Sequence, residues 1–368
     1  MKLKRIFKWA AGALPLGLIL WVFIAYWIST NDCERLAATP TNPMKAITSC
    51  EYGVNNLKLQ EIEKPTPADS ELLVRVRVAS INPADGHLIR GALPMRPIAG
   101  LRKPKRTRFG TDFAGIVEAV GKDVTNFKPS DEVFGAKTGA ASEYICVPAD
   151  KAVVLKPANI TFEQAGSVAI AGITALQGLR DKGHIQAGQK VLINGASGGV
   201  GTFAVQIAKA FGAEVTAVCS TRNVDLVKSI GADHVIDYTK EDFAKTDRRY
   251  DMIYDLVGNH SFSERRKILT PNGICVLAGI GGAGLHPGSW GRIGGNFWAA
   301  FLSNFTSRKF VFYIAKLTKD DLGVLRDLMQ SGKVTPVIDR TYKISETADA
   351  VRYLEEGHAH GKVVIVVE

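Results

Sequence analysis

The sequence predicts an α/β protein: a doubly wound parallel sheet joined to a smaller β-rich domain. Three observations carry that prediction. Residues 190–201, KVLINGASGGVG, read as a short apolar strand, a glycine-rich turn and the start of a helix. From position 162 onward helices and strands alternate, the order that builds a parallel sheet with right-handed crossovers. Between 44 and about 148 the pattern is instead short alternating strands separated by Gly and Pro, which reads as a compact β domain.

Taken in order, residues 9–30 form a run of 22 without a charged side chain, long enough to cross a bilayer. Trp9, Tyr26 and Trp27 sit at its ends like interfacial anchors. A cleaved signal peptide is the rival, but the run is long for one and no small-x-small site follows, so an uncleaved transmembrane helix is expected. Four basic residues before it put the N-terminus in the cytoplasm and the body across the membrane, whereas a phosphate-bearing cofactor at the glycine-rich turn would come from the cytoplasmic pool. A single-pass membrane protein with a cytoplasmic body is the expectation on cofactor grounds. Residues 31–43 read as a polar linker with Pro40 and Pro43.

The globular part starts near Met44. Strands are expected at 72–79, 115–120 and 131–134, with polar turns at 80–85 (SINPAD) and 109–115 (FGTDFAG) at strand ends. A helix at 162–181 then leads to strands at 190, 214–219, near 235, 250–257 and 273–279, with helices at 202–211 and 224–230 between them. Residues 281–314, rich in aromatics among Gly, Asn and Ser, suit an apolar lid or interface, with plain core as the alternative. A helix at 320–331, a strand at 341–344, a helix from Ser345 and a strand at 362–367 close the chain. The domains expected are 1–30 (basic flank and span), 31–43 (linker), 44–160 (catalytic), 161–310 (dinucleotide-binding) and 311–368 (a return to the catalytic domain).

The net charge of +10 does not make this a nucleic-acid binder. Eleven positive charges lie in two acid-free segments, 2–8 and 90–108, and the remainder carries −1. The five cysteines, Cys33, Cys50, Cys146, Cys219 and Cys275, are widely spaced and contain no C-x-x-C, so neither a disulfide framework nor a zinc site is implied.

The glycine turn carries the first chemistry. A helix N-terminus offers unpaired N–H groups and a partial positive charge to a pyrophosphate, provided no side chain blocks the approach. Ala196, Ser197, Gly198, Gly199, Val200 and Gly201 form that cradle, with Ala196 in the first glycine position of G-x-G-x-x-G and Gly201 allowing close packing of helix on strand. About 20 residues on, an acid would select NAD; Ser220, Thr221 and Arg222 stand there instead, two hydroxyls and a phosphate-matching fork, so NADPH is expected.

NPAD (82–85), FGTDFAGIVEAVG (109–121), SDEVFGA (130–136), AGITALQGL (171–179), NGASGGVG, IGADHVIDY (230–238) and HGKVVIVV (360–367) together resemble the zinc-independent quinone oxidoreductase, or zeta-crystallin-like, branch of the medium-chain dehydrogenase/reductase superfamily. The resemblance covers residues 44–368. It implies a GroES-like catalytic domain and a Rossmann domain. It places Asn82 against the nicotinamide with Asp85 supporting that loop, Thr174 near the nicotinamide or its phosphates, Tyr238 at the adenosine phosphate, and the backbone of Val257, Gly258, Gly279 and Ile280 along the cofactor. His87, next to this loop, is either a proton donor or a structural histidine. In the zinc alcohol dehydrogenases of the superfamily a Cys stands where Asn82 does and His-Glu where Thr111 and Asp112 do; Asn82 and Thr111 are poor zinc ligands, so no metal is expected. The implied reaction is hydride transfer to a quinone or an α,β-unsaturated carbonyl. An enoyl-thioester reductase and a non-catalytic NADPH- or RNA-binding scaffold are the alternatives. A small-molecule acceptor, the membrane through the N-terminal helix, and a second copy of the chain in a homodimer are the expected partners. The basic loop at 90–108 suits either anionic lipid or plain solvent.

Overall fold

The computed structural model describes residues 31, 33–36, 38–92, 96–278 and 307–367. The chain enters through β1 (Pro43–Thr48), β2 (Lys58–Glu63) and β3 (Glu71–Ile81), then helix α1 (Pro83–Arg90), then β4 (Asp112–Val120), β5 (Glu132–Ala136), β6 (Tyr144–Pro148) and β7 (Val153–Leu155). Helix α2 (Ala169–Gln177) leads into β8 (Lys190–Asn194), α3 (Gly199–Ala210), β9 (Glu214–Cys219), β10 (His234–Asp237), β11 (Tyr250–Asp255) and β12 (Leu269–Ala278). After β13 (Lys309–Tyr313) come α4 (Lys319–Gln330), β14 (Ile338–Lys343), α5 (Thr347–Glu355) and β15 (Lys362–Val366).

Strands β8 to β13 form a six-stranded parallel sheet in the order β10-β9-β8-β11-β12-β13. The doubly wound expectation thus describes the sheet, with the order reversing at β8, beside the glycine turn. Val191, Leu192 and Ile193 are fully buried because helices cover both faces of a parallel sheet. The second sheet runs β14-β15-β3-β4-β5-β7, with β6 also on β3. Here β15 pairs antiparallel with β3, opposing Val363 to Ile81 and Val364 to Ser80. The last strand of the chain therefore reaches back to the edge of the 82–85 turn.

Each sheet has an apolar cluster of its own, and a third cluster joins the two. Ala114, Phe134 and Val154 of the second sheet pack in that joint cluster with Ile173 and Leu176 of α2, Phe203 of α3 and Val191 of the parallel sheet. The alanine- and glycine-rich helix α2 is narrow enough to be buried between them, with Ala169, Ala171, Ile173, Ala175 and Leu176 at most 2% exposed. Each fully buried aliphatic side chain contributes roughly 1.5–3 kcal/mol, so this shared layer stiffens the joint on which the site depends.

Four expectations change. The helix at 162–181 is interrupted after Phe162–Ala165, resumes as α2, and widens into a π turn at Gly178–Lys182. The turn at 82–85 is the start of a helix: Asn82 is the N-cap residue of α1, and its N–H donates to the Asp85 carboxylate. Cys33 and Cys50 form a disulfide, a bridge that sequence spacing did not disclose because a lone pair carries no framework pattern. The single-pass membrane placement with a cytoplasmic body is corrected as well. Among the described residues no helix is long and apolar enough to cross a membrane. The longest, α3 and α4, have 12 residues, or roughly 18 Å against a 30 Å hydrocarbon layer. The run at 9–30, with the expected transmembrane helix, lies outside the described residues, as do Gly279, Ile280 and most of the expected aromatic lid.

Candidate active site

At the end of β8 the chain reverses through Gly195, whose φ of +86° is a left-handed conformation open to glycine. Gly195, not Ala196, is thus the tight-turn glycine; Ala196 is buried beneath it. A Cβ on Gly201 would lie 2.1 Å from the Gly195 carbonyl oxygen, so α3 can approach the turn only because Gly201 lacks one. A Cβ on Gly198 would meet nothing closer than 3.5 Å. Gly198 is the N-cap of α3 without a side-chain cap, and the first turn of α3 holds no acid. The open space and the uncapped N–H groups fit a pyrophosphate.

Ser197 of this turn is tied to the end of β9. Asn223 Nδ2 donates to Ser197 Oγ (2.9 Å) and to Ser220 Oγ (3.2 Å). Thr221 Oγ1 donates to Asp237 Oδ2 (2.6 Å), and Arg222 Nη2 donates to the His358 carbonyl (2.7 Å). Hydrogen bonds from Thr221 and Thr239 hold the Asp237 carboxyl well below the usual range. Ser220, Thr221 and Arg222 therefore share one edge with Asp237, the last residue of β10. Tyr238 is 60% exposed beside them, its N–H bonded to the Cys219 carbonyl.

On the other side of the turn, Thr174 lies on α2, its Oγ1 donating to the Ile170 carbonyl (2.7 Å). The Thr174 carbonyl accepts from the buried hydroxyls of Tyr254 and Tyr313, which fixes this part of the helix against the sheet. The N–H groups of Val257 and Gly258 donate to Asp255 Oδ1 (3.1 and 2.9 Å), which also accepts from Asn194 Nδ2 (2.9 Å). Arg265 Nη1 donates to Asp255 Oδ2 (2.8 Å), with both side chains buried. The loop after β11 is thus anchored from beneath by one carboxylate.

Asn82 and Asp85 belong to a buried polar cluster. The Asn82 N–H donates to Asp85 Oδ2 (2.8 Å), and Thr111 Oγ1 donates to Asp85 Oδ1 (3.1 Å). Asn82 Nδ2 donates to Asp112 Oδ2 (3.1 Å) and lies 3.4 Å from Asp85 Oδ2. Asp112, fully buried, accepts also from Ser80 Oγ (2.9 Å) and from the Ile170 N–H at the start of α2 (2.9 Å). Lys362 Nζ donates to Asn82 Oδ1 (2.5 Å) and lies 3.4 Å from Asp112 Oδ2. Burial pushes the Asp85 carboxyl up to about 6; the Asn82 N–H opposes that rise, the Asp112 charge adds to it, and Thr111 and Lys362 oppose it. His87 is buried on the same helix, and burial holds its imidazole below the usual value against the pull of Glu355. Among the described residues no group of three or more His, Cys, Asp or Glu could hold a metal ion.

Asp112, Lys362, Asn223 and Asp255 were not singled out from the sequence. For Lys362 a signal exists: a lone charge opening the otherwise apolar strand KVVIV. Asp112 lies inside the FGTD motif, where the sequence shows only that it stands in the place of a zinc dehydrogenase's Glu.

A phosphate-receptive glycine turn on one sheet, facing a buried polar cluster on another, defines a dinucleotide-dependent oxidoreductase of the medium-chain architecture. Residues 68–158 match the alcohol dehydrogenase GroES-like domain, and residues 230–365 the zinc-binding dehydrogenase domain. The chain is 34% identical to a 2-methylene-furan-3-one reductase of Solanum lycopersicum, over 92% of this chain and 84% of that one. It is also 34% identical to a chloroplastic NADPH-dependent alkenal/one oxidoreductase of Arabidopsis thaliana, over 88% and 79%. A solved quinone oxidoreductase from Coxiella burnetii superposes with a TM-score of 0.77 at 29% identity, covering 89% of this chain and all of that one. The chain belongs to the medium-chain dehydrogenase/reductase superfamily, in its quinone oxidoreductase branch.

Proposed function

We propose that this protein is an NADPH-dependent reductase that transfers hydride, without zinc, to a quinone or an α,β-unsaturated carbonyl. The observation that carries the reading is the buried cluster of Asn82, Asp85, Asp112 and Lys362, in which Asn82 and Asp112 stand where the resemblance puts two of the ligands of a zinc dehydrogenase. A carboxamide and an ammonium do not ligate zinc, and Asp112 is already committed to four neighbours. The names of the tomato and Arabidopsis relatives, both reductases of conjugated carbonyls, support the substrate class.

Bound NADPH would supply the hydride. The first turn of α3, from Gly198 to Gly201, would hold the pyrophosphate, and Ser220, Thr221 and Arg222 the 2′-phosphate, with Tyr238 beside the adenosine. Thr174 and the Val257–Gly258 loop would line the nicotinamide, and Asn82 would face it from the other sheet, oriented by Asp85. Among the described residues no metal cluster or uncommitted cation stands ready to polarise a carbonyl, so an acceptor that delocalises the incoming charge itself suits the site. The protein contributes position and exclusion of water, and the proton that completes reduction comes from solvent. The expected homodimer would pair edge strands of the parallel sheet, which among the described residues are β10 and β13.

A panel of quinones, enones and enoyl-thioesters, assayed by NADPH oxidation, tests the reading. Turnover of the first two classes supports it. Turnover of the thioesters alone would assign the enoyl-thioester alternative, and binding of NADPH without oxidation the scaffold.

A further inference from the structure

Lys362 opens the last strand, yet it is only 4% exposed, a rare placement for a lysine. Its stem crosses the glycine turn: a Cβ on Gly199 would lie 3.0 Å from Lys362 Cδ. The residue before it, Gly361, bridges Gly198 and is fixed as glycine by a φ of +110° and by the Val337 carbonyl 2.6 Å from where its Cβ would be. The ammonium at the far end bonds Asn82 Oδ1 and approaches Asp112 Oδ2. One side chain thus spans from the phosphate cradle to the catalytic loop.

The ammonium also decides which way the Asn82 amide points. With Oδ1 toward Lys362, Nδ2 faces the carboxylates of Asp112 and Asp85. Flipped, an NH2 group would face an ammonium and a carbonyl oxygen would face two carboxylates, repulsive on both sides. We infer that Lys362 is a positioning residue for hydride transfer: it fixes the Asn82 carboxamide, offsets the charge of the Asp85 and Asp112 carboxylates, and braces the glycine turn against the catalytic loop. This rests on the reductase reading for its kinetic consequence only.

The charged and polar groups around Asp85 are Asp112 of β4, Lys362 of β15 and the Thr111 hydroxyl. On its own helix lie His87 and Arg90, which face Glu355 of α5. Lys362 is the cation among the groups that act on the Asp85 carboxyl, so its loss must raise the pH at which Asp85 ionises.

The test is Lys362→Met, which keeps the stem and removes the amine. The expected result is a fall in kcat of roughly 10- to 100-fold, as for a misplaced catalytic group, with the Kd for NADPH, read by fluorescence quenching, changed less than about threefold. The acidic limb of the kcat profile moves to higher pH. In an Asn82→Ala background the substitution adds little, because Lys362 acts through that amide. An unchanged pH profile, or a full additive loss in that background, overturns the inference. If Lys362→Met does not fold, Lys362→Gln, which keeps a donor without the charge, carries the same pH prediction. Lack of turnover by the parent protein would overturn the reductase reading instead. Even then the pH dependence of thermal stability reports Asp85 ionisation: the same upward shift is expected in the variant, and its absence sinks the role of Lys362.

Discussion

Replacing Gly201 with alanine sets two opposed effects against each other. Alanine in a helix is favoured over glycine by at most about 1 kcal/mol. The added Cβ, however, would lie 2.1 Å from the Gly195 oxygen and 2.7 Å from the Ala196 carbonyl carbon and oxygen, all backbone. Tolerable contact begins near 3.0 Å, so turn and helix must part by about 0.9 Å. Gly195 cannot yield freely at φ +86°, and α3 is packed through the fully buried Phe203 and Ala204. Overpacking of this kind costs typically 1–3 kcal/mol, so steric strain wins and Gly201→Ala is expected to destabilise. Its NADPH affinity should fall by at least about tenfold, because the first-turn N–H groups move from the phosphate. Gly323→Ala in α4 is the control: nothing lies within 4 Å of its would-be Cβ, so it should stabilise by about 0.5–1 kcal/mol with affinity unchanged. Urea denaturation and NADPH titration of both variants check this. Two changes of the same sign, or an unaltered affinity for Gly201→Ala, would refute the account of the turn.

Other predictions follow from the buried charges and the cysteines. Arg265→Met should cost about 3–5 kcal/mol in urea denaturation, because it strands Asp255 beneath the Val257–Gly258 loop; a loss under about 1 kcal/mol would deny that the pair anchors the loop. Asp85 titrates near 6 when folded against an ordinary 3.8, so its contribution to stability is complete below about pH 4 and lost as pH rises through about 6. Asp85→Asn retains an acceptor for the Asn82 N–H and should therefore be more stable than the parent at pH 7, by at most about 3 kcal/mol, and equal to it near pH 4; a pH-independent difference would contradict this. Thiol titration of the denatured, unreduced protein should give three free cysteines, Cys146, Cys219 and Cys275, rising to five on reduction. Five before reduction would exclude the Cys33–Cys50 bridge.

The parallel sheet was legible because its signal is local. Val191 to Ile193 are apolar in succession, Gly195 to Gly201 punctuate, and each later strand repeats the pattern. The cradle was legible for the same reason, although the residue with positive φ proved to be Gly195, one place before Ala196. The buried cluster was half legible. Asn82 and Asp85 sit three apart in a recognisable turn, while Lys362 reaches them only because β15 pairs with β3 across 280 residues. Such a partner has no local pattern to announce it, and the same is true of the Cys33–Cys50 bridge and of Asp237 beside Thr221. The break in the helix at 162–181 has a comparable origin: Asp112, distant in sequence, accepts the Ile170 N–H at the start of α2.

Hydride transfer from NADPH is proposed in a site where Asn82 and Lys362 are not zinc ligands. Its most direct test is the rate of NADPH oxidation with a quinone and with an enone, measured before and after exhaustive chelation and again after zinc is added back. Turnover unchanged at all three stages is the result predicted. Turnover lost on chelation and restored by zinc, or none with either acceptor, would contradict it.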